Sequence, residues 1–212
     1  SKDRPPMKVG APITDITAGL LATSGILAAL VHRNKTGEGQ KVDTSLFEAG
    51  IVHTYWQSAI AGATGQSPGP LGSAHPLTAP YQAFKTKDSY IIIAAGNDKL
   101  FEKLCSVLKL SEAINNPKFK TNSSRSQNMD ELKQIIEDKL SIKNTSLWVQ
   151  EMEKEKIPCG PIFNIKEAVE NPQIESRNMI VKAYHKVIGD FKLAGNPIKM
   201  STYKDEKTRG DI

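Results

Sequence analysis

Cysteine is scarce: Cys105 and Cys159 are the only two in 212 residues. Two such residues do not make a disulfide scaffold or a zinc site, and a reducing intracellular compartment is the simpler reading. The four histidines are scattered without metal-ligand spacing. No Walker loop, strand-linked GxGxxG, HExxH or CxxC occurs, so the common nucleotide, dinucleotide, metalloprotease and redox signatures are all missing. The longest uncharged apolar stretch, Ile16 to Val31, falls short of the ~20 residues a bilayer span needs and reads as a core helix. The charged, Pro-rich opening Ser1-Lys2-Asp3-Arg4-Pro5-Pro6 is no secretory signal. Neither an internal repeat nor a low-complexity segment is present.

The hydrophobic share, 39%, is enough to bury a core. The net charge of +5 is mild and spread along the chain, and does not point to nucleic acid. Thr14 or Asp15 is suited to cap a helix running to about His32, with small or apolar residues on all sides predicting burial on most of them. Gly19, Ala22, Gly25 and Ala29 would admit a close neighbour, and His32, Arg33 and Lys35 suit a helix C-terminus. Lys41 to Leu46 alternates as a short strand, and Phe47 to about Ala63 reads as a second helix. Thr64 to Pro80, rich in Gly and Pro, predicts a long loop of the kind that links domains or carries function.

Beyond it, Tyr81 to Thr86 and Tyr90 to Ala95 predict a hairpin, and Asn97 or Asp98 caps an amphipathic helix to about Leu108. Asp130 to Leu140 and Thr145 to Lys154 predict further helices, Ile157 to Ile162 an extended or turning segment, and Ile165 to Val169 a short helix. Ile180 to Lys192 reads as a second hairpin around Gly189-Asp190, and Lys204 to Ile212 as a polar tail.

Few residues stand out chemically. Asp15 precedes an almost uncharged helix, where free N–H groups and the dipole favour an ionised carboxylate. That carboxylate is either a plain cap or a nucleophile or base in a dry site. His75, between glycines and prolines, is either a packing histidine or a ligand-binding loop residue. Cys105 falls on an apolar helix face; Cys159, in a Pro/Gly turn, lacks a nearby electropositive partner that would make it reactive.

Four blocks, in order, carry a resemblance. They are Pro6-Met7-Lys8-Val9-Gly10-Ala11-Pro12-Ile13-Thr14-Asp15-Ile16-Thr17-Ala18-Gly19, then Lys35-Thr36-Gly37-Glu38-Gly39-Gln40-Lys41-Val42-Asp43, then Gly72-Ser73-Ala74-His75-Pro76 with Pro80-Tyr81-Gln82-Ala83-Phe84, then Ile157-Pro158-Cys159-Gly160-Pro161-Ile162. Together they resemble family III CoA-transferases, the CaiB/BaiF family, from about Pro6 to Tyr203. The resemblance implies an α/β fold: part of a large nucleotide-fold domain over 1–66, a linker and substrate loop over 67–80, a small α+β domain over 81–195, and a return segment and tail over 196–212. It implies Asp15, in the "D-x-x-x-G" position with Gly19, as the catalytic nucleophile, and Gly72 and His75 near the substrate acyl group.

The reaction so implied moves coenzyme A from an acyl-CoA such as succinyl-CoA to a free acid such as glutarate, through an aspartyl anhydride and an aspartyl-CoA thioester. CoA thioesters are then substrates; no permanently bound cofactor, metal, nucleic acid or membrane is implied. The complete protein would be an interlocked homodimer, mitochondrial by resemblance or otherwise cytoplasmic. A racemase of the alpha-methylacyl-CoA kind is the alternative chemistry, and its catalytic histidine would lie upstream. The family's large N-terminal segment, which supplies most CoA contacts, is not matched, nor is its closing "P-L-L-G-x-H-T" run. The chain therefore reads as a central-to-C-terminal fragment, inactive in isolation or acting only as a binding or dimerising remnant.

Overall fold

A computed structural model describes residues 7–208. Residues 1–6 and 209–212, which hold the start of the first sequence block and the end of the polar tail, lie outside the described residues. The first helix, α1, runs Ile13–Thr36. It starts earlier than the cap residues predict: the Pro12 carbonyl already accepts the Ile16 N–H (3.1 Å), so Pro12 is the N-cap although it has no side-chain acceptor to offer. Asp15 is consequently the third residue of the helix rather than its cap, in the turn where the N–H groups have no partner within the helix. Gly37, at φ +80°, ends the helix by donating to the Arg33 carbonyl (2.8 Å).

Residues 41–46 do not form the predicted strand, because no described strand lies beside them to complete a ladder. Val42 packs on α1 instead, its Cγ1 only 2.7 Å from where a Cβ on Gly25 would stand. The Gly25 gap therefore admits a side chain, while Gly19 faces open space. The second helix, α2, is Leu46–Thr64, opened by Ser45, whose hydroxyl accepts the Glu48 N–H (3.2 Å) and donates to its carboxylate (2.8 Å). Tyr55 (φ 17°, ψ −85°) breaks its helical geometry midway.

The α1–α2 pair is far more exposed than the apolar pattern predicts. Ala18 is the buried residue of α1 and Ala49 that of α2, whereas Leu20 is 60% and Phe47 79% exposed. Each helix covers one stripe of the other and leaves the rest of an all-round apolar surface uncovered. With 24 residues, α1 is also long and apolar enough to cross a membrane by length and composition.

The second half holds the core. Strands β1 (Tyr81–Lys85) and β2 (Tyr90–Ala94) form the expected hairpin, and β3 (Cys159–Pro161) joins the other edge of β2, giving an antiparallel sheet in the order β1-β2-β3. Between β2 and β3 the chain forms α3 (Asp98–Leu108), α4 (Ser111–Asn115), α5 (Asn122–Gln127), α6 (Met129–Leu140) and α7 (Thr145–Lys154). Alternation sends Phe84, Ile91 and Ile93 to one sheet face, where Phe101, Leu104, Leu132, Ile136, Leu140, Trp148 and Met152 cover them. Cys105 joins this core, as its helical position predicts.

After β3 come the short helices α8 (Ile165–Val169) and α9 (Pro172–Ser176), then a separate hairpin, β4 (Ile180–His185) with β5 (Gly189–Ala194). Its turn falls at residues 186–188, just before the Gly189-Asp190 pair expected to form it: His185 pairs with Gly189, whose φ of +73° lets the chain re-enter the strand.

Candidate active site

Asp15 is exposed in the first turn of α1, and the Thr14 hydroxyl donates to its Oδ2 (3.2 Å). Two residues along, Thr17 Oγ1 and His53 Nε2 are 2.7 Å apart, tying this end of α1 to α2. Gly50 meets the Thr14 methyl: a Cβ there would stand 3.5 Å from Thr14 Cγ2. Gly50 and His53, three apart, share a face of the first half of α2, and the break at Tyr55 separates them from Trp56.

Trp56, past that break, meets the long loop. The Trp56 and His75 rings meet edge-on with centroids 4.7 Å apart, and His75 stacks on Tyr81 at 5.1 Å with 6° between planes. The half-buried His75 thus sits between α2 and the first residue of β1. Its backbone N–H donates to the Tyr81 carbonyl (2.9 Å), and its Nδ1 accepts the Leu77 N–H (3.1 Å). Because Nδ1 is an acceptor, a neutral His75 carries its proton on Nε2. Gly72 is exposed at φ +64°, where a side chain would be strained, and it starts the bend that places Ser73 to accept the Ala83 N–H (3.1 Å).

The structure therefore ties α1 to α2 through Thr14 and Thr17, which flank Asp15 in sequence, and ties α2 to the loop through Trp56 and His75, with Gly72 shaping the loop between α2 and β1. Sequence reading gave His53 no role, since its partner Thr17 lies 36 residues away. It also missed Asn122 and Arg125 of α5, which hold the loop from below and have no local sequence signal.

The cysteines lie apart from this region. Burial pushes the Cys105 thiol up to about 12. Burial, reinforced by Glu153, also raises that of Cys159 on β3, so neither provides a ready thiolate. An open cavity of about 370 Å³ over β4 and β5, lined by Lys182, Tyr184, Phe191 and Lys192, includes neither Asp15 nor His75.

The sequence profile of CoA-transferase family III matches residues 1–211. The chain is 35% identical over 208 residues to an acetyl-CoA:oxalate CoA-transferase of Acetobacter aceti, covering 98% of this chain and 52% of that protein. It is 33% identical over 204 residues to the human succinyl-CoA:glutarate CoA-transferase, covering 96% of this chain and 47% of the relative. The crystal structure of a CaiB/BaiF family protein from Brucella suis superposes with a TM-score of 0.76 at 32% identity, over 97% of this chain and 53% of that one. A Mycobacterium tuberculosis protein shares the fold at a TM-score of 0.80 and 21% identity, over 97% of this chain and 55% of that one.

The mixed α/β architecture is thus that of a known enzyme class. The chain belongs to CoA-transferase family III. It spans about half the length of the curated relatives it matches.

Proposed function

We propose that this chain carries the nucleophile and substrate loop of a CoA-transferase that exchanges CoA between an acyl-CoA and a free small carboxylic acid. The placement of Asp15 in the first turn of α1, on the helix whose sequence carries the family's "D-x-x-x-G" pattern, is the observation that supports it most. The free N–H groups and positive dipole end of that turn offer donors to an oxyanion beside it.

In this reading the Asp15 carboxylate attacks the thioester carbonyl of the donor. The C–S bond breaks, CoA leaves as thiolate, and a mixed anhydride remains. The thiolate then attacks the Asp15 carbonyl carbon, releasing the donor acid and leaving an aspartyl-CoA thioester. The acceptor carboxylate attacks that thioester, expelling the thiolate and forming a second anhydride. Attack of the thiolate on the acceptor's acyl carbon gives the new acyl-CoA and regenerates Asp15. One acid replaces another at constant thioester energy, so no nucleotide hydrolysis is required.

Gly72 and His75 form the part of the loop that meets the acyl group. The uncovered apolar surface of α1 and α2 is the surface on which the remainder of a family subunit packs. Succinyl-CoA with glutarate is the substrate pair proposed, by likeness to the human relative.

Replacing the nucleophile, Asp15→Ala, in the complete protein lowers exchange by at least about a thousandfold. Mass spectrometry of the protein after incubation with acyl-CoA finds CoA attached at Asp15. Retained exchange in the variant, or an adduct on another residue, removes Asp15 from the mechanism.

A further inference from the structure

The segment after His75 is held from α5 by two side chains. Asn122 donates from Nδ2 to the Leu77 carbonyl (2.9 Å) and accepts the Ala79 N–H at Oδ1 (2.9 Å). Arg125, fully buried, donates from Nε to the Ala79 carbonyl (2.7 Å). Its remaining donors reach the Phe119 carbonyl (3.0 Å), the Gly96 carbonyl (2.8 Å) and Asp98 Oδ1 (2.9 Å), and the guanidinium lies 4.6 Å over the Phe101 ring. A buried guanidinium with these acceptors satisfied is a rigid anchor. The residues it and Asn122 grip, Leu77 and Ala79, are continuous with the Leu77 N–H that sets the acceptor role of His75 Nδ1.

The geometry points to Asn122 and Arg125 as positioning residues for His75: Asn122 holds Leu77 and Arg125 anchors Ala79 two residues on, so that neutral His75 is held as the Nε2–H tautomer, a hydrogen-bond donor toward the substrate's carboxylate or oxyanion. A histidine so held presents a donor, and a general base would need the opposite tautomer. Tyr81 behind the ring and Trp56 at its edge restrict rotation, so the tautomer and the ring direction are set together. This deepens the proposed reaction and rests on His75 belonging to the substrate loop, but its first readout needs no catalysis.

The test is ring-nitrogen NMR of the whole 212-residue chain with labelled histidine, using His75→Gln to assign the His75 signals, together with amide hydrogen exchange. Under conditions where His75 is neutral, the unsubstituted chain shows one tautomer, protonated at Nε2. Asn122→Ala turns this into a tautomer mixture and speeds exchange at Leu77 and Ala79 by about tenfold or more, with the Phe84 and Ile91 amides unchanged. Asn122→Asp, which keeps the acceptor and loses the donor, preserves Ala79 protection while still disturbing His75.

A single unchanged tautomer in Asn122→Ala overturns the proposal. Equal loss of protection across the β1–β2 sheet also overturns it, since Asn122 would then act on global stability. Adding succinyl-CoA and then glutarate to the complete protein, with its histidines labelled, tests the underlying reading separately. Movement of the His75 Nε2 signal supports acid contact there, and no movement overturns the substrate-facing role while the exchange data decide the clamp.

Discussion

Asp88, in the turn between β1 and β2, is exposed yet tied at three points: it accepts the Thr145 N–H (2.8 Å), the Thr145 hydroxyl (2.9 Å) and the Thr86 hydroxyl (3.2 Å). These bonds, the Thr145 N–H first, hold its carboxyl below the ordinary 3.8. The folded state therefore favours the charged form. Its contribution to stability is complete above the unfolded value and is lost as pH falls through the lower folded value. Asp88→Asn flattens the acid limb of a thermal-melting series run from about pH 5 to about pH 2; an unaltered limb refutes the assignment. The thiols behave in the opposite sense. With burial raising both, neither Cys105 nor Cys159 alkylates readily at neutral pH in the native chain, and both do in denaturant. Rapid native labelling of Cys105 would contradict that.

Among elements, those with a closed apolar periodicity were legible. The α3 face of Phe101, Leu104 and Leu108, the helices α6 and α7, and the β1–β2 hairpin all fall where their pattern puts them, because each pattern is answered by a neighbour in the same core. Phe84 shows what that closure is worth. It is fully buried on β1 opposite Ile91, and Phe84→Ala costs about 3–5 kcal/mol in urea unfolding, by lost transfer energy and the cavity left behind. A loss below about 1 kcal/mol would mean the site collapses around the gap. Residues 41–46 failed as a strand for the complementary reason: alternation alone supplies no partner. The short α4 and α5 were not predicted, whereas the equally short α8, behind its Asn164 cap, was.

At the scale of the molecule, two regions contrast. Residues 81–161 enclose a packed core, while α1 and α2 display Leu20, Leu27, Phe47 and Ile51 to solvent. Patches of this kind mark a surface meant for contact. The chain spans about half the length of its curated relatives, so the proposed reaction places further CoA contacts outside these residues. The 212-residue chain alone is expected to exchange CoA between succinyl-CoA and glutarate at least roughly a hundredfold more slowly than the complete protein, since an unpositioned thioester forfeits proximity. Comparable turnover in a coupled assay of the two would defeat that expectation. Of the proposed site, Asp15, Gly72 and His75 stood out in the sequence through ordered blocks. His53, Asn122 and Arg125 act across 36, 45 and 46 residues of chain, on Thr17, Leu77 and Ala79.

By itself the sequence determined the helix and hairpin patterns of the second half and the family to which the chain belongs, since both rest on local spacing and on the order of motifs. Tertiary structure decided which apolar faces found cover, that Asp15 lies inside the first turn of α1 instead of capping it, and which nitrogen of His75 accepts. The physical reason is the same in each case. Burial and hydrogen-bond partners are properties of groups brought together from distant parts of the chain, and periodicity along the chain does not name them.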